Sequence, residues 1–203
     1  VAMAAIQHHR GPDGFGCEIG PGMGFSHARL SIIDLDPARG RQPFRSDDGQ
    51  LLLTANGEFY DYQRLRADLT ARGARFSTKS DSELVLHMYR QFGFEAMLPY
   101  LRGEFAYALF DDAEDTLYLV RDRFGIKPLY WTETSNGLVF GSELKVLFAN
   151  PDVPRRFTPD GVFHQLMQAI VPGSTAFEGI HQVRPGHFLK VQRREGRLHI
   201  EQR

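Results

Sequence analysis

Four short stretches carry residues able to do chemistry together: His9-Arg-Gly-Pro-Asp-Gly14, His27-Ala-Arg-Leu-Ser-Ile-Ile-Asp-Leu35, Asn56-Gly-Glu-Phe-Tyr60 and Ser80-Asp-Ser-Glu83. Arg29 stands in an otherwise apolar stretch. A guanidinium there needs an anionic partner, either a protein carboxylate or a ligand carboxylate gripped through two parallel hydrogen bonds. Asn56-Gly57, taken alone, reads as turn chemistry. Its functional reading is an oxyanion hole, because a side-chain amide and the N–H of a residue without a Cβ can both aim at a developing negative charge. Glu58 adds a negative charge beside it. Asp81 reads as a helix cap or first-turn acid that complements the helix dipole, with a ligand ammonium as the rival partner.

Other polar groups carry less. His8 and His9 are adjacent, without the spacing of a paired-histidine metal site, and no cysteine is close by. Cys17, the single cysteine, sits in a glycine-rich stretch with nothing local to lower its pKa and reads as an inert thiol. One cysteine excludes an intrachain disulfide framework and a multi-cysteine zinc site, and favours a reducing compartment. Arg121-Asp-Arg-Phe-Gly-Ile-Lys-Pro-Leu-Tyr130 is dense in charge and turn formers and is assigned structural or interface duty.

The elements that must position these groups follow from periodicity. Residues 25–34 read as a strand with its turn, and residues 50–55 as a second strand whose three adjacent leucines imply burial on both faces, with a loop at Asn56-Gly57. Tyr62, Leu65 and Leu69 share one face of a helix over residues 60–72 that Gly73 stops. A second helix starts near Ser80-Asp81 and turns Leu84, Val85, Met88, Tyr89 and Phe92 inward before Gly93. Hairpins are predicted for residues 105–120, 129–141 and 187–200, and short helices for 142–149 and 159–169. Strands apolar on both faces need cover on both sides, so the fold class is a layered α+β arrangement.

The chain has 203 residues, 42% hydrophobic and 24% charged, which suits one globular domain spanning residues 1–203. A formal net charge of -1 gives no field to attract nucleic acid or an anionic membrane surface. No apolar run is long enough to cross a bilayer and no secretory leader opens the sequence, so a cytoplasmic setting is expected.

In this order the clusters resemble the class II glutamine amidotransferase domain of glutamine-dependent asparagine synthetases. The resemblance rests on His9 to Gly14, Arg29-Leu-Ser-Ile-Ile-Asp34, Asn56-Gly-Glu58, Ser80-Asp81, Leu101-Arg-Gly-Glu-Phe-Ala106, Arg121 to Tyr130 and Gly141-Ser-Glu-Leu-Lys145. It implies a four-layer αββα N-terminal-nucleophile hydrolase sandwich, two antiparallel sheets between helices. It also implies a reaction: an N-terminal cysteine attacks the side-chain amide of glutamine with its own α-amine as base, ammonia leaves, and water releases glutamate from the thioester. By resemblance Asn56 and Gly57 form the oxyanion hole, Arg29 binds the substrate α-carboxylate, and Asp81 with Glu58 holds the α-ammonium. Leu30, Ile32 and Ile33 shape the glutamine pocket, through backbone contacts as much as side chains.

The sequence opens on Val1, and the nucleophilic cysteine is not among its residues, so this polypeptide as given is expected not to hydrolyse glutamine. Phe177-Glu-Gly-Ile-His-Gln-Val-Arg-Pro-Gly-His187 resembles the stretch ahead of an ATP-dependent synthetase domain. The resemblance therefore implies glutamine and that C-terminal domain of the same polypeptide as partners. It assigns no cofactor to this domain, places ATP and magnesium in the synthetase domain, and makes a homodimer the assembly to test. Two other functions remain open at this stage: a scaffold domain of a β-lactam-synthetase-like ligase, and a non-enzymatic glutamine-binding module.

Overall fold

The computed structural model describes residues 2–36, 40–169 and 171–203. In chain order the elements are α1 (Ala2–Ala5), β1 (Gly14–Gly20), β2 (Met23–Arg29), β3 (Phe44–Arg45), β4 (Leu51–Phe59), α2 (Tyr62–Ala71), α3 (Leu84–Phe92) and α4 (Phe94–Met97). There follow β5 (Gly103–Asp111), β6 (Thr116–Arg121), β7 (Tyr130–Thr134), β8 (Gly137–Gly141), α5 (Leu144–Leu147), α6 (Pro159–Leu166), β9 (His181–Gln182), β10 (Phe188–Arg194) and β11 (Arg197–Gln202).

The central layer is a six-stranded sheet in the order β11-β10-β6-β5-β4-β3, with every ladder antiparallel. Alternation along its strands sends two different side-chain sets to its two faces. Leu53 and Phe59 of β4, Phe105, Tyr107 and Leu109 of β5, and Tyr118 and Val120 of β6 pack with Leu65 and Leu69 of α2, Leu84, Val85 and Met88 of α3, and Phe94 and Met97 of α4. Leu52, Ala106, Ala108, Phe110 and Leu119 face the other way, against Phe25 of β2 and the partly buried Trp131, Leu138 and Phe140 of β7 and β8.

That second β layer consists of two antiparallel pieces, the hairpin β1-β2 and the three-stranded sheet β8-β7-β9. Its outer side is covered by Val146 and Leu147 of α5 and by Met3 of α1, which pack with Tyr130 and Val139. Helices, sheet, sheet pieces and helices thus stack in the four-layer αββα order that the resemblance implies.

Three sequence expectations change. The strand predicted over residues 25–34 ends at Arg29, and residues 30–36 continue as a loop. The strand predicted to stop at Ala55 runs on to Phe59, so Asn56-Gly57 is not a turn: Asn56 faces Ala106 and Gly57 faces Phe105 in register with β5. Turn propensity loses here because the β4–β5 ladder runs unbroken through both residues, from Leu51 to Phe59. Gly57 serves a different need, adopting φ 126°, and a Cβ on it would collide with the Glu104 carbonyl. Finally, α3 begins at Leu84 rather than near Ser80-Asp81. The side chains expected to cap it are engaged elsewhere, as the site shows.

Candidate functional site

Between the six-stranded sheet and the second β layer lies a cavity of about 640 Å³, lined among others by Arg29, Leu30, Ile32, Ile33, Asn56, Gly57, Glu58 and Asp81. All eight residues singled out from the sequence therefore meet in one place. Space is left for it where β5 carries the small side chains of Ala106 and Ala108, with Glu104 also in the lining.

On β4, alternation points Thr54, Asn56 and Glu58 to the same face as Leu52, toward the second layer. The Asn56 side-chain nitrogen is buried and has no hydrogen-bond partner among the described residues. An unpaired buried donor costs about 1–3 kcal/mol, so its retention beside a cavity is a mark of a ligand acceptor.

Arg29 ends β2 and is only 7% exposed. Its Nη2 donates to the Asp34 backbone carbonyl, and Gly40 leaves room for the guanidinium, which a Cβ there would strike. Among the described residues the guanidinium has no carboxylate partner, so the structural ion pair that its sequence context allowed is not formed.

Asp81 is 4% exposed, and its Oδ2 accepts a 2.7 Å hydrogen bond from the Phe59 N–H at the end of β4. The carboxylate is thus committed to the strand beside Asn56, not to the N-terminus of α3, whose first residues receive no side-chain cap. Burial raises the Asp81 pKa against the pull of its backbone hydrogen bonds, and the Glu58 carboxylate adds to the rise. Among the described residues neither Asp81 nor Glu58 forms an ion pair. Among the described residues the cavity thus gathers the Arg29 guanidinium with the Asp81 and Glu58 carboxylates outside any ion pair, a charge pattern that complements a zwitterion.

The surrounding loops are held by Glu83, Asp34 and Gln42, whose sequence context assigned them no role. Glu83 accepts from the N–H and Oγ of Ser77 (2.7 and 2.8 Å) and from the N–H and Oγ1 of Thr78 (2.8 and 2.7 Å). Burial pushes its carboxyl up, but hydrogen bonds from His87, Ser77 and Thr78 outweigh that and bring it down to about 2. Asp34 accepts from Lys79 N–H at 2.8 Å, which ties the Arg29 loop to the Asp81 loop. Gln42 exchanges two hydrogen bonds with the Ala55 backbone (2.7 and 3.2 Å) and so completes the edge of β4 beyond β3. Nothing in the local sequence marked Gln42.

Leu30 and Ile32 are 55% and 74% exposed. Their apolar character alone suggested core, whereas the structure puts them on the rim of the cavity. The thiol of Cys17 does not line it.

A family model described as the glutamine amidotransferase domain matches residues 1–200. The chain belongs to that family. Curated relatives include asparagine synthetase (glutamine-hydrolyzing) 2 of Bacillus subtilis, 36% identical over 195 residues that cover 93% of this chain and 25% of the relative. The amidase chry2 of Gibberella zeae is 40% identical over 186 residues, 89% of this chain and 26% of that protein. The amidotransferase domain thus spans about a quarter of the length of these relatives. Among solved structures, glutamine phosphoribosylpyrophosphate amidotransferase from Bacillus subtilis superposes with a TM-score of 0.59 at 21% identity, covering 88% of this chain and 34% of that one. That likeness bears on the fold, which is the N-terminal-nucleophile sandwich.

Within the amidotransferase domain the charged stretch from Arg121 onward proves to be internal scaffolding. Arg121 donates to the carbonyls of Gly125, Lys127 and Val183 at 2.7–2.8 Å, while Asp122, 1% exposed, accepts from the N–H groups of Phe124, Ile126 and Lys127 at 3.0–3.1 Å. The loop is shaped mainly by hydrogen bonds to backbone, with Lys127 also paired to Glu104 at 3.6 Å, in keeping with the structural duty assigned to it.

Proposed function

We propose that the cavity binds glutamine and supports hydrolysis of its side-chain amide to glutamate and ammonia, the ammonia serving an ATP-dependent amidation elsewhere in the same polypeptide. The observation that carries this reading is the buried, unpartnered Asn56 amide in a cavity whose charged groups match a free amino acid. In this reading Arg29 grips the α-carboxylate, Asp81 with Glu58 holds the α-ammonium, and backbone and side chains of Leu30, Ile32 and Ile33 line the space between. Asn56 and the Gly57 N–H then stabilise the oxyanion of the tetrahedral intermediate, where preorganised dipoles contribute most.

The attacking group is a cysteine thiolate at a mature N-terminus, with the α-amine as base, since an amine of pKa about 7.7–8.0 can take the thiol proton near neutrality. Residues 1–203 supply the binding and oxyanion groups and not that nucleophile: position 1 is Val1 and the single thiol is Cys17. Asparagine-synthetase relatives make aspartate the first acceptor to test, with ATP and magnesium acting in a synthetase domain and not in this one. Amidase-named relatives at 40% and 38% identity make the acceptor an open variable.

The test is glutamate and ammonia release from glutamine by the full-length protein, its N-terminus mapped by mass spectrometry. Release that is lost on replacing an N-terminal cysteine supports the reading. Glutamine binding without glutamate release would replace it with a binding module, and no glutamine binding at all with a scaffold domain.

A further inference from the structure

We propose that His27 is a positioning residue that fixes the spacing between Arg29 and Asn56 by tying β2 to β4 across the cavity; this rests on the glutamine reading above.

The two groups that would grip opposite ends of glutamine belong to different layers. Arg29 is carried by the β1-β2 hairpin and Asn56 by the six-stranded sheet. Backbone pairing fixes neither relative to the other, because among the described residues no ladder joins those two sheets. A slide of the hairpin would change the distance between carboxylate grip and oxyanion donor while leaving every strand pairing intact.

His27 stands two residues before Arg29 on β2, and Thr54 two residues before Asn56 on β4, so alternation puts each pair on one face of its strand. His27 Nδ1 and Thr54 Oγ1 lie 3.1 Å apart, joining the layers within the cavity that all four residues line. Among the described residues the other polar links between hairpin and sheet are peripheral: Glu18 with Arg45 (2.7 Å) and Arg193 with the Gly22 carbonyl (3.5 Å), all at exposed sites. Phe25, on the same face as His27, packs with the core that includes Leu52. Inside the cavity, among the described residues, the hairpin is therefore seated by apolar contact, which is non-directional, and registered by the directional His27–Thr54 bond.

The charge state suits this duty. Burial, with the Arg29 guanidinium adding to it, lowers the His27 pKa to about 4. A neutral ring leaves the Arg29 charge for a ligand carboxylate and makes a hydrogen bond that does not change across the neutral range.

The full-length protein provides the test. His27→Phe keeps ring volume and loses the bond; Thr54→Val keeps shape and loses the bond. Each is expected to lower kcat for glutamine hydrolysis by about 10- to 100-fold, as misplacement near 1 Å does, with KM changed far less. His27→Asn, whose amide can reach Thr54 as Nδ1 does, and Thr54→Ser are expected to recover most of the rate. The double variant His27→Phe/Thr54→Val should be no slower than either single one, because both remove the same link. A Phe variant as fast as wild type, an Asn variant as slow as Phe, or additive losses would overturn the proposal. Should His27→Phe melt well below wild type, the Thr54 pair decides: slow Val with normal Ser supports the tie, and two normal variants refute it. A wild-type protein that releases no glutamate from glutamine would instead bring down the functional reading, and this inference with it.

Discussion

On its helix side β5 presents Phe105, Tyr107 and Leu109; on its other side, from the positions between them, it presents Ala106 and Ala108. β4 divides in the same way, with Leu53 and Phe59 toward the helices and Thr54, Asn56 and Glu58 toward the cavity. The helix face is filled by large buried side chains and supplies stability. The cavity face is left open by small ones, and there the buried Asn56 side-chain nitrogen has no partner among the described residues. The contrast teaches that the site is formed by omission: the scaffold is rigid because one face is full, and it can receive a ligand because the other is not. Substitutions on the two faces should accordingly separate stability from chemistry.

The largest effect on stability belongs to the full face. Phe94 of α4 stacks on Tyr118 and meets Phe188 edge-on, with ring centroids 3.7 and 4.8 Å away. Phe94→Ala should cost about 3–5 kcal/mol, read by denaturant unfolding, because the neighbours only partly fill the gap. Per folded molecule, glutamine hydrolysis in the full-length protein should hold. A collapse of kcat at full folding would break the division between the faces.

Asn56→Ala on the cavity face should behave in the opposite sense. Removing an oxyanion donor should lower kcat by about 10²- to 10³-fold, or about 2.7–4 kcal/mol. The fold should lose nothing, since a buried amide without a partner contributes no hydrogen bond to stability. Unchanged kcat in steady-state assays would remove Asn56 from the oxyanion hole.

This split also explains what the sequence could reveal. Strong periodicity marked β5, β6, α2 and the burial of Leu51, Leu52 and Leu53, because in those elements pattern and packing agree. Where polar duty or glycine interrupted the pattern, reading failed. Asn56-Gly57 looked like a turn because its residues are turn formers, yet β5 pairs with β4 through both. β1, Gly14–Gly20, went unrecognised among its glycines. Asp81 was legible as important and misread as a cap, since its partner is the Phe59 N–H, 22 residues away in sequence. Gln42 and His27 act on other elements at a distance, through Ala55 and Thr54, which no local window contains. The family motifs, by contrast, gathered all eight proposed site residues without any geometry, because a motif records what the ligand needs and not how the chain supplies it.

Asp81→Asn sharpens the comparison further. The asparagine oxygen can still accept from Phe59 N–H, so the strand contact survives while the charge goes. Burial, with Glu58 nearby, holds the Asp81 pKa above its ordinary value. A folded-state pKa above the unfolded one means that the native state binds the proton more tightly, so the ionised group costs stability and that cost fades as pH falls through the raised pKa. The variant should therefore melt higher than wild type at pH 7, with the gap narrowing in acid, as scanning calorimetry over that range would show. Glutamine should bind more weakly by about 1.5–3 kcal/mol, roughly a 10- to 100-fold rise in KM, for loss of a charge-assisted hydrogen bond. An equal or lower melting temperature with unchanged KM would make Asp81 a structural residue only.

The smallest effect expected is none, and it falls on the single thiol. In the β1-β2 ladder Cys17 pairs with Ser26, and directly paired residues share a face of their sheet. Ser26 alternates with Phe25 and His27, which face the six-stranded sheet, so Cys17 is turned to the opposite side from Arg29 and His27. Bringing its sulfur into the cavity would require a one-residue slip of β1, which would reverse every side chain of that strand. Cys17→Ala should leave glutamate release by the full-length protein at the wild-type rate. A loss of turnover in that variant, with folding intact, would mean that the hairpin register differs in solution, and the positions inferred for Arg29 and His27 would move with it.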